Sequence, residues 1–180
     1  MRSSTQSTGL MLRLASMGDR GPVMELIRRV VPMMVAAGNL QWDEQYPNHQ
    51  VFTSDIELAQ LWVAEQAGLL VGVAAITAVQ PPEYAQIGWD IHEPVIVPHR
   101  LAVDPAARGA GIASALLRQA EVVARQQGIM IVRVDTGVQN RAAQRLYAKL
   151  GYTRAGEINL NYRAGLRVVC YQKHLAPEAM

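Results

Sequence analysis

The spacing of apolar residues changes period several times along this chain, and each change marks an element. Residues 10–15 alternate as a strand does, and Asp19 and Pro22 then offer a cap and a first-turn proline for a helix. Val23, Leu26, Ile27, Val30, Val31 and Met34 recur at i, i+3, i+4 and i+7, the stripe of an amphipathic helix that Gly38 ends. Pro32 within it has no N–H to donate, so a bend is expected there. Residues 38–48 show no period and set two large aromatics, Trp42 and Tyr46, among polar neighbours, the pattern of a structured loop. A short helix at about 54–59 leads into strand-like runs at 61–65 and 69–79, joined through Gln66-Ala67-Gly68 as a hairpin would be.

Pro81 and Pro82 interrupt the pattern, and a polar stretch follows before a strand at 95–103. That strand runs directly into a glycine-bearing turn and a helix at 111–127, with Ile112, Leu116, Ala120 and Val123 on its core face. Residues 129–135 read as a strand, 140–150 as a helix closed by Gly151, and 152–159 with 166–174 as a final hairpin. The order is mixed α/β: an antiparallel front, then strand-helix-strand-helix-strand. No internal repeat or low-complexity linker divides the chain, which predicts one domain over residues 10–176 behind a Ser/Thr-rich flexible tail at 1–9.

Composition narrows the function. At 180 residues, half of them apolar and 18% charged, the chain has material for one sizeable core. The net charge of +2 rests on scattered arginines, Lys149 and Lys173 being the only lysines, so there is no basic run of the kind that tracks nucleic acid. Cys170 is the only cysteine, which rules out an intrachain disulfide and fits a reducing, cytoplasmic setting. The run at 10–15 is too short, and interrupted by Arg13, for a signal peptide, and no stretch reaches the ~20 apolar residues of a membrane span. His92, His99 and Cys170 would lack a fourth ligand and have no recognised metal spacing, so no metal is expected.

Residues 101–114 carry the chemistry. A strand passes through Gly109 and Gly111 into a helix amino terminus, where first-turn N–H groups lack intrahelical partners and the helix dipole favours an anion. Arg108 adds a positive side chain. A phosphate loop of the Gly-Lys-Ser/Thr type is excluded because no such triplet follows the glycines. The dinucleotide fingerprint fails as well, since Ser114 stands where its third glycine or alanine belongs and several strands precede it. The pattern left is R-x-x-G-x-A, an acyl-CoA signature.

Arg108-Gly109-Ala110-Gly111-Ile112-Ala113, preceded by Leu101-Ala102-Val103-Asp104-Pro105, resembles the central motif of the GNAT acetyltransferases, strand-turn-helix context included. Asn140 to Tyr152 resembles that family's second signature, N-x-x-A-x-x-L-Y-x-K-x-G-Y/F, and Gln41-Trp42-Asp43 with Tyr46-Pro47 is similar to a bacterial branch. The resemblance implies a GNAT fold: a central, mostly antiparallel mixed sheet of six to seven strands with helices on both faces. It implies acetyl-CoA as cosubstrate, its pantetheine arm bonded by the backbone of Leu101, Ala102 and Val103. Its pyrophosphate would lie on the amides of Arg108, Gly109, Ala110, Gly111, Ile112, Ala113 and Ser114, and Asn140 would bond its far arm. It also implies direct attack of an amine on the thioester, with Tyr147 in the position of the general acid. A phenol of pKa about 10 stays protonated at neutral pH and can donate to a departing thiolate. Glu93 and His99, on or beside the central strand, are candidates for the base, and Trp42 and Tyr46 for the walls of the amine pocket.

Each residue also has a plainer reading. Gly109 and Gly111 make tight turns without ligands, Tyr147 fits a buried helix tyrosine and Asn140 a helix cap. His99 fits a strand histidine, Glu93 a solvated loop carboxylate, and Trp42 and Tyr46 loop packing. The function expected is acetyl transfer to a primary amine of a small molecule. The alternatives are a silent acyl-CoA sensor or interaction domain, or an enzyme acting on protein or peptide amino groups. Many GNAT members pair as dimers, so a homodimer stands among the partners the resemblance allows; nucleic acid and membrane do not.

Overall fold

A computed structural model describes residues 9–177. The expected tail therefore lies, Gly9 apart, outside the described residues. Seven strands form two antiparallel sheets. In the first, β1 (Met11–Leu14), β2 (Leu61–Gln66), β3 (Leu69–Thr77) and β4 (Val97–Val103) stand in sequence order. In the second, β5 (Ile131–Gly137), β6 (Thr153–Asn159) and β7 (Arg167–His174) take the order β5-β7-β6. One parallel bridge, Ile96 to Val132, joins them: Ile96 N donates to Ile131 O (3.0 Å) and Arg133 N to Ile96 O (2.9 Å). Beyond it, β4 turns its hydrogen bonds to β3 and β5 to β7, so two parallel neighbours part like the arms of a V.

Four helices cover this arrangement: α1 (Arg20–Ala36), α2 (His49–Glu57), α3 (Ile112–Gln126) and α4 (Arg141–Lys149). Val23, Leu26, Ile27, Val30 and Val31 of α1 pack with Phe52 of α2 on Val63 and Val73 of the first sheet. Leu117, Ala120 and Ala124 of α3 cover Val132 and Val134, while Ile112 and Leu116 reach Ala64, Val71 and Ala74. Gly72 on β3 permits that contact, because a Cβ there would lie 2.6 Å from Ile112 Cγ2 and 3.2 Å from Leu116 Cδ1. The seat of α3, and with it the turn that precedes α3, depends on that missing side chain.

The expected elements are present with two local differences, at Asp19 and at the start of the short helix. Asp19 does not cap α1 with its side chain. Its carboxylate instead accepts from Ser16 N (2.7 Å) and takes both Arg13 guanidinium nitrogens at 2.8 and 2.9 Å, which holds it well below the usual carboxylate range. Pro32 lies inside α1, which runs on past it to Ala36. The short helix starts at His49 rather than near Ser54, because Asn48 caps it by accepting from Val51 N (3.1 Å).

Candidate active site

The V between β4 and β5 opens into a cavity of about 1390 Å³. That exceeds the ~300–1,000 Å³ typical of a pocket for one small ligand. One end is made largely of backbone. Asp104 accepts from Ala106 N (2.9 Å) and pairs with Arg29 of α1 (2.7 Å), which anchors the turn after β4. Gly109 and Gly111 then take φ of +83° and +77°, the left-handed region that glycine enters without strain. The first intrahelical bond is Ala115 N to Gly111 O (3.0 Å), so the amides of Ile112, Ala113 and Ser114 precede the hydrogen-bonded part of α3. No side chain caps them. These residues line the cavity with Arg108, and Arg141 and Lys149 of α4 lie along the same wall. Ala110 does not line it, because its amide is turned back onto Ala107 O (3.4 Å).

Leu101, Ala102 and Val103 line the β4 wall, and α4 forms the facing side. Asn140 caps α4 through Ala143 N (3.2 Å) while its amide donates to Thr136 Oγ1 (3.0 Å), and it too lines the cavity. Tyr147, about two turns further on, is 3% exposed and set edge-on to Tyr171, with its hydroxyl 3.5 Å from the carbonyl of Asp135. Burial, with the charge of Asp135, pushes its phenol above the ordinary value, so it remains a donor at every physiological pH.

The other end is made of side chains. His99 is half-buried on β4, and its Nε2 lies 2.9 Å from the carbonyl of Val79. A carbonyl can only accept, so Nε2 carries the proton and Nδ1 the lone pair. Burial pulls His99 below its ordinary pKa. Across the V stands Asp135 on β5, which accepts from Tyr84 Oη (2.7 Å) and Gln41 Nε2 (3.5 Å); burial raises its carboxyl above the usual range, and His99 opposes that rise. Trp42 and Tyr46 line this end, Trp42 packed into the core beneath α1 and Tyr46 taking a bond from Arg100 Nη1 (3.3 Å).

Arg100 is the backbone irregularity of the site. Val73 pairs with Ala102 and Ala75 with His99, so Ala74 alone opposes Arg100 and Leu101, a β-bulge. Arg100 has φ +52° there. A conformation costing about 1–3 kcal/mol in a non-glycine residue needs a restraint, and the restraint is Asp55 of α2, 2% exposed, which accepts from Arg100 Nε and Nη2, each at 2.7 Å.

Glu93 is the candidate that the structure separates from the others. It does not line the cavity, and its carboxylate pairs with Arg133, which is 2% exposed and lies 4.4 Å over the Trp89 ring. Asp135, Tyr84, Glu83, Arg100 and Tyr162 were not singled out by sequence. The one available signal was Asp135 itself, an acid towards the carboxyl end of a β-rich run, where open α/β sheets hold their ligands. His92, His99 and Cys170 do not gather, and among the described residues no three His, Cys, Asp or Glu side chains are placed to share a metal ion. No described helix is long and apolar enough to cross a membrane.

The model of the acetyltransferase (GNAT) family matches residues 32–152, which include both walls of the cavity. The chain belongs to the GNAT acetyltransferases. A GNAT family acetyltransferase from Streptococcus agalactiae is 28% identical, with a TM-score of 0.80 over 94% of this chain and 97% of that one. The yncA protein of Salmonella typhimurium, solved with its cofactor acetyl-CoA, shares the GNAT fold at 20% identity, with a TM-score of 0.69 over 96% and 97% of the two chains. N-acetyltransferase 8 of Mus musculus is 35% identical over 96 residues, which are 53% of this chain and 39% of the mouse protein. The chain thus matches about two fifths of the length of that curated relative. The strand count and mixed α/β layers expected from the resemblance are those of the GNAT fold.

Proposed function

We propose that this chain is an acetyl-CoA-dependent N-acetyltransferase that transfers an acetyl group to a primary amine of a small molecule by direct attack. The observation that carries the reading is one cavity with two kinds of wall. Free helix amides, left-handed glycines and arginines suit a pyrophosphate at one end; a neutral imidazole and a protonated phenol both line the remaining space. The volume suits two reactants better than one.

Acetyl-CoA supplies the activated acyl group as a thioester. The backbone of Leu101, Ala102 and Val103, at the open edge of β4, orients its arm, the amides from Ile112 to Ser114 hold its pyrophosphate, and Asn140 bonds it from α4. Nδ1 of His99 accepts the proton that the attacking amine must lose, and the Asp135 carboxyl across the V favours the imidazolium so formed. Tyr147 donates a hydrogen bond toward the departing sulfur. Trp42, Tyr46 and Leu160 wall the acceptor end with the more exposed Tyr162 at its mouth, a pocket that suits a small molecule more than a protein chain.

The test is thiol release from acetyl-CoA across a panel of primary amines, with Tyr147→Phe beside the wild type. Release with at least one amine, and a kcat about 10²–10⁴-fold lower in the variant with coenzyme A affinity retained, is the expected outcome. Coenzyme A binding without release from any amine would favour a sensor, and stronger competition by ATP or NAD than by coenzyme A would overturn the cofactor assignment.

A further inference from the structure

The acceptor end holds two acids and two arginines, and they are not equivalently partnered. Arg100 is neutralised by Asp55, and Arg163 pairs with Asp43. Both cations that line this end are therefore already matched by carboxylates of the protein. Glu83 and Asp135 line the same end and have no cationic partner within 4 Å among the described residues. Glu83 is only 8% exposed. One of its oxygens accepts a long bond from Asn161 N (3.3 Å), and the other has no hydrogen-bond partner among the described residues. That free oxygen is not sealed in the core but opens to the cavity, where a ligand can supply the positive charge that the protein does not.

The surroundings fit such a ligand. Trp42, Tyr46 and Tyr162 line the same space, and aromatic faces attract cations. Tyr162 stands at the mouth of that space, 65% exposed, with its phenol raised by partial desolvation and by Tyr46, Asp135 and Glu83 around it. Asp135 also faces the imidazole assigned above as the base, which leaves Glu83 to the part of the acceptor that does not react.

Resting on the acetyltransferase reading, we propose that the acceptor is a dication: an amine that reacts beside His99 and Asp135, with a second positive group held by Glu83 against the aromatic walls. A free amino acid is disfavoured, because its carboxylate would meet Glu83 and find both arginines occupied.

The experiment compares acceptors of equal length. Linear α,ω-diamines of three to six carbons, the corresponding monoamines and the corresponding ω-amino acids are titrated into the complex with coenzyme A by calorimetry, and each is assayed for thiol release. At least one diamine binds tenfold or more tighter than its monoamine, the ω-amino acid binds weakest, and Glu83→Gln, which keeps an acceptor for Asn161, removes the difference between diamine and monoamine. Equal binding of diamines and monoamines at every length, tighter binding of the amino acids, or a preference unchanged in Glu83→Gln overturns the proposal. Binding is read without turnover, so a silent protein that still prefers the diamine would fail the enzymatic reading while keeping this one.

Discussion

The two ends of the cavity solve recognition by different means. The end around Gly109, Gly111 and the first turn of α3 is backbone: amides, a dipole and two left-handed glycines, all within a dozen consecutive residues. The acceptor end is side chains from five separate segments, with Trp42 and Tyr46 before α2, Glu83 after β3, His99 and Arg100 on β4, Asp135 on β5 and Tyr162 between β6 and β7. A backbone site tolerates change in most side chains but not in conformation. A side-chain site can be rebuilt residue by residue on an unchanged scaffold, which is how one fold serves many acceptors.

Substitutions should separate the ends. The largest effect is expected at His99. Because burial lowers its pKa, His99 is neutral at pH 7 and gains its proton only below about 6.5, so kcat/KM rises with pH to a plateau reached before neutrality. Asp135, which works against that shift, shares in the limb, which belongs to the pair rather than to one residue. His99→Gln lowers kcat/KM by about 10²–10⁴-fold and removes this acidic limb, and it leaves the KM for acetyl-CoA in place. An unchanged profile would take the base role from His99.

Asp55→Ala comes next, and acts on the acceptor end through stability. It leaves Arg100 buried and unpaired at φ +52°, a loss of about 3–5 kcal/mol in urea unfolding. Gly72→Ala acts on the cofactor end from a distance. Its Cβ would press on Ile112 and Leu116, costing about 1–3 kcal/mol and raising the KM for acetyl-CoA by moving the amides of α3. A loss of stability with the KM unmoved would show that the turn seats itself independently of β3. Asn140→Ala is the smallest, about 0.5–2 kcal/mol from the lost cap, with the affinity for coenzyme A falling and the discrimination among amines staying as it was.

The same contrast explains what could be read from the sequence. Strand, turn and helix around Arg108 to Ser114 lie in one contiguous segment, so their spacing was legible, and Asn140 and Tyr147 followed from a second segment of the same kind. Of the residues expected there, Ala110 alone does not line the cavity, its amide turning inward to Ala107. At the acceptor end, Trp42, Tyr46 and His99 could be named one at a time, but their partners could not. Nothing in the local sequence says that Arg100 adopts a positive φ or that Asp55, 45 residues earlier, restrains it. Glu93, six residues before His99, looked equally suited to the base role. A buried arginine on β5 takes it away, and that pairing exists only once β5 lies alongside β4.

The account stands most directly on a crystal structure of the protein with coenzyme A bound. It predicts the pyrophosphate on the amides of Ile112, Ala113 and Ser114, the arm along Leu101 to Val103, and the sulfur in the V within hydrogen-bonding reach of the Tyr147 hydroxyl, with His99 and Asp135 facing the remaining space. Coenzyme A seated away from the V, or with its sulfur directed out of the space between β4 and β5, would contradict it.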